Sequence, residues 1–332
     1  MSGRTRHLTE HDLGVLVLGA VAAPSIHNTQ PWCFALRPDC VDVRADRRRQ
    51  LGVLDPTGRQ LTISCGCALF NLRVAAAALG YVAQVRRFPD PSDPDLLASV
   101  DIALPDASHD LRAEADADLA ILAPELRRRH TNRRRFGPER APQVMVQALS
   151  LAAAAEGAGL VEIVTDVDRA LVADLTARAD RALLLDPKYR AEQRAWTTDD
   201  PRRRDGVNAS SVPHVGRGSA EGVSIRDFDT HGSDALRDPA GDQTLLLVCT
   251  AHDSGAGWLR AGEALERVWL ELSAAGWTAS PLTQAVEVPA ARVQLRRGLR
   301  LTGYPHLLLR IGRAAPTPGS PRRHLNEVLV IS

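Results

Sequence analysis

The sequence predicts an α+β fold of two related halves, with long central helices flanked by mixed sheets. Three observations carry this expectation. Helix-like and strand-like patterns alternate along the chain. Two long, alanine-rich helical stretches, 59–80 and 257–276, match at a constant separation of 196 residues: Gly66 falls on Gly262, Ala68 on Ala264, Leu69 on Leu265, Ala78 on Ala274, Gly80 on Gly276 and Tyr81 on Trp277. The 332 residues, 44% of them hydrophobic, suffice for two packed cores. Two glycines and a terminal aromatic at one separation point to an internal duplication. Each half then supplies one apolar helix to a shared core, and alanine and glycine faces let such helices approach closely.

The elements follow in order. Residues 13–22 form an apolar run that reads as a buried helix. Pro24 ends it, because proline has no N–H for the next helical hydrogen bond. Residues 23–30 are a loop dense in small polar groups, and 31–36 reads as extended. The helix over 59–79 is unusually apolar, and Gly80 sits where it should end. Strands are expected over 81–88 and 98–104, separated by the proline- and aspartate-rich loop 89–94. A helix over 110–129 finishes in basic residues. The second half begins near Arg127, so the expected division is 1–126 and 127–332. In it, helices are predicted over 144–154 and 167–185, and strands over 160–165, 244–250 and 306–311. The segment 186–241 differs. It is rich in Arg, Asp, Gly, Ser and Pro and poor in aliphatics, which suits a functional insertion or a disordered one. Its Trp196 and Phe228 are candidates to dock it as a lid.

Composition excludes several function classes. The net charge is +1 and the aromatic content is 4%, which argues against a nucleic-acid module. Lys188 is the only lysine, so the abundant arginine reflects coding bias before chemistry. The charged N-terminus does not read as a signal peptide, and no stretch reads as long enough to span a bilayer. A cytoplasmic protein is expected. The five cysteines are odd in number and lack paired zinc spacing, so they read as reduced thiols, with no metal site.

Four stretches carry candidate chemistry. The loop 23–32 places a hydroxyl, an imidazole and two amides between a helix and a strand. It suits either a plain turn or a grip on a planar ligand with polar edges. The run 127–136 is the densest basic stretch, either a solvated face or an anion site, since arginines and a hydroxyl together satisfy phosphate oxygens. Residues 317–329 form a second basic element or an exposed tail. Residues 279–284 read as the exit from the second long helix into a loop.

The string Ala23-Pro24-Ser25-Ile26-His27-Asn28-Thr29-Gln30-Pro31-Trp32 resembles the A-P-S-x-x-N-x-Q-P-W loop of the nitroreductase superfamily, whose members use flavin mononucleotide (FMN). With His27 included, it is similar to the Acg-type branch. His130-Thr131-Asn132-Arg133 resembles the family's R-S-x-R-like phosphate element, with Arg129 an alternative for the first arginine. The segment through Arg322, Arg323 and Glu327 resembles its closing K/R-R-x-P-L-x-E-V.

The resemblance implies a cofactor site built from Pro24, Ser25, His27, Asn28 and Gln30; Arg129, Thr131 and Arg133; Ser280, Pro281, Leu282 and Thr283 beside the flavin ring; and Arg322 and Arg323. It implies an FMN-dependent oxidoreductase that takes hydride from NAD(P)H and passes electrons to a nitroaromatic or quinone-like small molecule. It also allows a flavin-sequestering protein with a lid-closed site. Only the first half carries the loop and only the second the basic elements. The implied assembly is a fused pseudo-dimer with one FMN per chain, monomeric or paired with a second copy. No catalytic acid–base pair is expected, and a structural role is favoured for His27.

Overall fold

A computed structural model describes residues 8–105, 118–134, 136–208, 226 and 243–330. Helix α1 (Glu10–Val21) starts at a capping box in which Thr9 and Asp12 satisfy each other's backbone N–H groups. The hairpin β1 (Trp32–Arg37) and β2 (Cys40–Ala45) follows, then α2 (Arg59–Ala78), β3 (Val82–Arg87) and β4 (Leu96–Ala103). The C-terminal part holds α3 (Gln143–Ala155), β5 (Gly159–Glu162), α4 (Asp166–Leu185), α5 (Pro187–Ala195), the two-residue strands β6 (Thr197–Thr198) and β7 (Val207–Asn208), β8 (Thr244–Thr250), α6 (Gly255–Ala274), β9 (Thr278–Leu282), α7 (Pro289–Gly298) and β10 (Tyr304–Gly312). Strand β11 (Leu329–Val330) returns to pair in parallel with β1.

The two sheets repeat one topology. The N-terminal sheet runs β11-β1-β2-β4-β3 and the C-terminal sheet β5-β8-β10-β9. In each, two strands precede a long helix and two follow it, and the fourth strand lies beside the third at the edge. Helix α2 ends at Gly80 (φ 79°), with Gly80 N–H donating to the Ala77 carbonyl at 2.9 Å and Tyr81 N–H to that of Ala76 at 2.9 Å. Helix α6 ends identically at Gly276 (φ 73°), with Gly276 donating to Ser273 at 2.9 Å and Trp277 to Leu272 at 2.8 Å. Each pair of atoms keeps the separation of 196. Glycine reaches the left-handed region without strain, which fixes both helix ends.

The helices α2 and α6 pack against each other where Gly66 meets Gly262. A Cβ on Gly66 would lie 2.2 Å from the Leu259 carbonyl oxygen, and one on Gly262 2.0 Å from that of Ile63. The contact is reciprocal, as across a twofold axis. Nearly all of α2 is buried. Contrary to the expectation from sequence it is long and apolar enough to span a bilayer, but 89% of its apolar window lies inside the protein, as in a core helix.

Both sheets carry parallel as well as antiparallel pairings: β11 runs parallel to β1, and Thr131 forms an isolated parallel bridge with Ala279 of β9 beside the antiparallel strands of the C-terminal sheet. Expectations for single elements need correction. Of the helix expected over 110–129, residues 110–117 lie outside the described residues, and the rest is broken by a turn before a single helical turn, Glu125–Arg128. The reason is Pro124, which has no N–H to extend a helix. The exit expected over 279–284 is instead β9. Pro281 is tolerated there because β9 is an edge strand. Strand β2 and helices α5 and α7 are additions to the expected elements.

Pro38 and Asp39 alone join β1 to β2. The corresponding strands β5 and β8 are joined by the whole of 163–243. Within the segment 186–241, residues 186–208 fold: Tyr189 is buried against Leu51 and Leu54, and Arg49 stacks on Trp196. Phe228 lies outside the described residues.

Candidate functional site

The loop after α1 is held in a costly backbone conformation. His27 (φ 46°), Asn28 (φ 53°) and Gln30 (φ 49°) all occupy the left-handed region. Such geometry costs roughly 1 kcal/mol or more per non-glycine residue and persists only where surroundings over-determine it. Here they do. Gln30 N–H donates to Ser25 Oγ at 2.9 Å, and Ile26 N–H to Ser64 Oγ of α2 at 3.1 Å. Asn28 Nδ2 donates to the Gly206 carbonyl at 3.1 Å and Gln30 Nε2 to that of Arg204 at 2.7 Å. Arg323 N–H donates to Gln30 Oε1 at 2.7 Å.

The loop closes one end of a cavity of about 90 Å³. Helix α2 contributes Gln60, Ile63, Ser64 and Cys67; α6 contributes Leu265 and Trp269; Ser280, Pro281 and Thr283 come from β9 and the residue after it. The walls combine apolar side chains, among them Ile63, Leu265, Trp269 and Leu307, with polar ones in nearly equal measure. Gln60 Nε2 is buried without a hydrogen-bond partner among the described residues. An adjoining cavity of about 40 Å³ shares Pro24, Ser25, Thr131 and Arg133 with the first and adds Asn28, Arg129, His130, Ser320 and Arg322.

The adjoining cavity concentrates buried positive charge. Arg129 lies 3.1 Å from Glu266, donates to the Ala22 carbonyl at 3.1 Å and sits 4.7 Å over the Trp269 ring. Arg322 donates to the same carbonyl at 3.2 Å and to Asn28 Oδ1 at 3.2 Å. Burial and the nearby Arg129 push Arg322 down to about 9, and burial and Arg226 push Arg133 down to about 10. Burial also pushes Glu266 up to about 6, against the pull of Arg129. One reluctant carboxylate therefore faces Arg129 and Arg322, with Arg133 on the same cavity lining, in a low-dielectric pocket. A phosphate, which accepts charge-assisted bonds from several arginines, fits this donor set. Burial, with Arg226 and Arg133 close by, holds the His27 pKa well below the ordinary value, so its imidazole is neutral at pH 7.

Eleven of the fourteen residues expected from sequence line these two cavities: Pro24, Ser25, His27, Thr131, Arg133, Ser280, Pro281 and Thr283 the first, and Asn28, Arg129 and Arg322 the second. Three do not. Leu282 belongs to the core cluster beyond β9. Gln30 ties the loop to the C-terminal tail. Arg323 donates to the carbonyls of Gln30 at 3.1 Å, Trp32 at 3.4 Å and Glu327, a structural role.

Sequence reading misses Gln60, Ser64 and Trp269, although polar residues in the most apolar helix are a usable signal. It also misses Arg226. That side chain reaches the cavity from the insertion, donating to Tyr189 Oη at 2.5 Å, to Thr283 Oγ1 at 3.0 Å and to Glu287. Burial opposes its charge, but Glu287 and Tyr189 outweigh burial and hold it protonated.

No family model matches the sequence. A protein of Mycobacterium tuberculosis provisionally named an NAD(P)H nitroreductase is 36% identical over 325 residues, covering 93% of this chain and 88% of its own. Acg of the same organism, provisionally given the same activity, is 32% identical over 319 residues, covering 93% and 92%. Among solved structures, a nitroreductase with bound FMN from Desulfitobacterium hafniense is 11% identical with a TM-score of 0.43, covering 64% of this chain and 98% of its own. The identity to the two mycobacterial proteins extends over nearly the full length of each pair, so the chain belongs to the NAD(P)H nitroreductase family.

Proposed function

We propose that the protein is an FMN-dependent oxidoreductase, taking hydride from NAD(P)H and passing electrons to a nitroaromatic or quinone-like acceptor. The observation that carries this reading is convergence. Residues 24–28, 129–133 and 320–322 are far apart in sequence and line two adjoining cavities. One cavity mixes apolar walls with polar groups, as a flavin ring requires; the other gathers three arginines, Arg129 buried and Arg133 and Arg322 half-buried, as a phosphate requires. Arg129, Thr131, Arg133 and Arg322 hold the phosphate. Ile63, Leu265, Trp269 and Leu307 exclude water from the ring. Bound there, FMN supplies hydride acceptance and release. Gln60, Ser280 and Thr283 are preorganised polar groups that stabilise negative charge on the reduced ring. His27, neutral and buried, acts as part of the loop scaffold.

The repeated topology supports a division into halves 1–126 and 127–332, a fused pseudo-dimer with one flavin site. In this reading the insertion serves as a cover through Arg226, which lines the cavity; its residues 209–225 and 227–241 lie outside the described residues. Arg226 favours a second reading, in which the cover closes the site and the protein holds flavin with little turnover. Its guanidinium lines the flavin cavity and is locked to Glu287 and Thr283. The absorbance spectrum of the purified protein and a titration of apoprotein with FMN test the binding, with a stoichiometry near one expected. Anaerobic stopped-flow mixing with NADPH and NADH then separates the two readings. Bleaching supports the oxidoreductase, an unbleached flavin supports sequestration, and a protein that binds no flavin defeats both.

A further inference from the structure

A second cleft, of about 880 Å³, lies behind the flavin cavity. The two share a wall. Arg59, on the cleft, precedes Gln60, on the cavity, and Glu287 of the cleft holds Arg226 of the cavity. The cleft is lined by five arginines, Arg59, Arg292, Arg296, Arg297 and Arg300, against Asp55, Asp253 and Glu287.

Two of those acids are already committed. Asp253 makes a two-pronged pair with Arg292 at 2.6 and 2.9 Å, and Glu287 pairs with Arg226. The Asp55 carboxylate accepts from Leu61 N–H at 2.8 Å, and burial pushes it up to about 6. Arg296 is fixed by the Gly303 and Thr302 carbonyls and stacks 3.8 Å over Tyr304. Arg297 and Arg300, both exposed, pair with no carboxylate among the described residues.

Arg59 separates this cleft from a merely basic surface. It is only 7% exposed. Its Nη2 donates to the Val286 carbonyl, but its Nη1 is buried without a hydrogen-bond partner among the described residues. An unsatisfied guanidinium donor is expensive to bury. Arginine-biased coding explains arginines on a surface; it does not explain one placed under a cleft with an unused donor. Beside it, Val288, Val293 and Leu301 give the cleft an apolar side. The N-terminus of α7, which favours anions, opens onto the same space.

We propose that this cleft is a second ligand site that takes an organic phosphate. Arg59 at the floor and Arg297 and Arg300 at the rim meet the phosphate, and the apolar side meets the body of the molecule. Phosphate is favoured over a single carboxylate because it offers more acceptor oxygens to several guanidiniums at once.

Calorimetric titration of the full-length, FMN-loaded protein with ADP, inorganic pyrophosphate and adenosine tests this. ADP should bind most tightly, pyrophosphate more weakly, and adenosine not measurably. Arg59→Gln, and separately the exposed pair Arg297→Gln with Arg300→Asn, should each weaken ADP by about tenfold or more. Asn suits position 300 because its φ is 52°. The rim pair leaves folding and flavin content intact, so it remains informative if Arg59→Gln unfolds. Unchanged ADP affinity in the rim variant would overturn the proposal. So would ADP that binds only apoprotein and is displaced by FMN, which would place it at the flavin phosphate site. Equal affinities for ADP and pyrophosphate would overturn the part assigned to the organic body. A failure of NAD(P)H to reduce the flavin leaves all these titrations unaffected.

Discussion

The flavin cavity and its pseudo-symmetric counterpart use the same frame and reach opposite ends. Cys67, Trp269 and Thr283 line the cavity. At the separation of 196 their counterparts are Glu263, Arg73 and Arg87. These close the equivalent space with an ionic network. Arg87 grips Glu263 with two bonds of 2.7 Å, Arg73 lies 3.1 Å from the same carboxylate and also pairs with Glu156, and Arg267 bonds Glu156 at 2.9 Å. Both glutamates are almost fully buried. In the cavity Arg129 and Arg322 face one carboxylate, Glu266, with Arg133 on the same lining; in the network Arg73, Arg87 and Arg267 share Glu156, Glu263 and Glu271. One region keeps excess charge for a ligand, and the other neutralises it internally. The helix pair and strand order repeat, so the difference lies in the side chains they carry and in the loops and insertion added to that frame.

The largest expected effect breaks the network. Glu263→Ala strands Arg73 and Arg87 partly buried and without their shared partner. Removing one member of a buried pair typically costs about 3–5 kcal/mol. The urea midpoint should fall accordingly while FMN affinity stays near wild type. A stable variant that gained a second FMN would show the network to be a dispensable plug.

The next effect tests the cavity side. Arg133→Ala and Arg322→Ala should each weaken FMN by about ten- to a hundredfold, the equivalent of about 1.5–3 kcal/mol for a charge-assisted bond. Arg323→Ala should cost less affinity, because its donors serve the backbone of the loop. Equal losses across all three, measured by fluorescence titration, would mean that the tail matters to flavin only through folding.

A smaller effect gives the two regions opposite pH dependences. Burial raises Glu266 to about 6. A raised carboxyl contributes stability that is complete below its unfolded pKa and lost as pH rises through its folded one. Stability should therefore fall between about pH 4.5 and 6, by up to about 2 kcal/mol from this group. In the network, burial acts to raise Glu156, but Arg73 and Arg267 outweigh it and hold the group below its ordinary value. Its contribution is present above the ordinary glutamate pKa and lost as pH falls through the folded value. Urea midpoints across pH 3–7 should show Glu266→Gln flattening the loss on the alkaline side and Glu156→Gln flattening the loss on the acid side. Two variants with the same profile would refute the assignment.

Much of the fold and part of the site are legible in the amino-acid sequence. The caps at Gly80 and Gly276 are local signals, and so is the duplication they mark. The loop 23–32 is legible as a motif because its backbone demands and polar groups are packed into consecutive residues. Arg129, Arg133 and Arg322 are legible as a set only through resemblance. In an arginine-rich chain nothing local distinguishes Arg322, which faces the cavity, from Arg323, which faces the loop backbone. Strand β2 escapes a pattern reading because its run alternates weakly around Asp42 and Arg44. Those charges are satisfied across the sheet, Asp42 by Arg37 and Ser99 and Arg44 by Asp93.

What the sequence determined by itself was periodic or contiguous: the class of fold, the two long helices and their shared origin, and the loop that opens the site. Tertiary structure alone decided the rest. It set Gly66 against Gly262 and so fixed how closely the helices cross. It brought Arg226 from a long insertion onto the cavity, and it left Arg59 with an unused donor under a second cleft. It also made one of two equivalent spaces a cavity and the other an ionic core. Each outcome depends on which distant groups share a desolvated volume. Charge, burial and hydrogen-bond satisfaction within that volume are properties of the neighbours, and no local stretch of sequence encodes them.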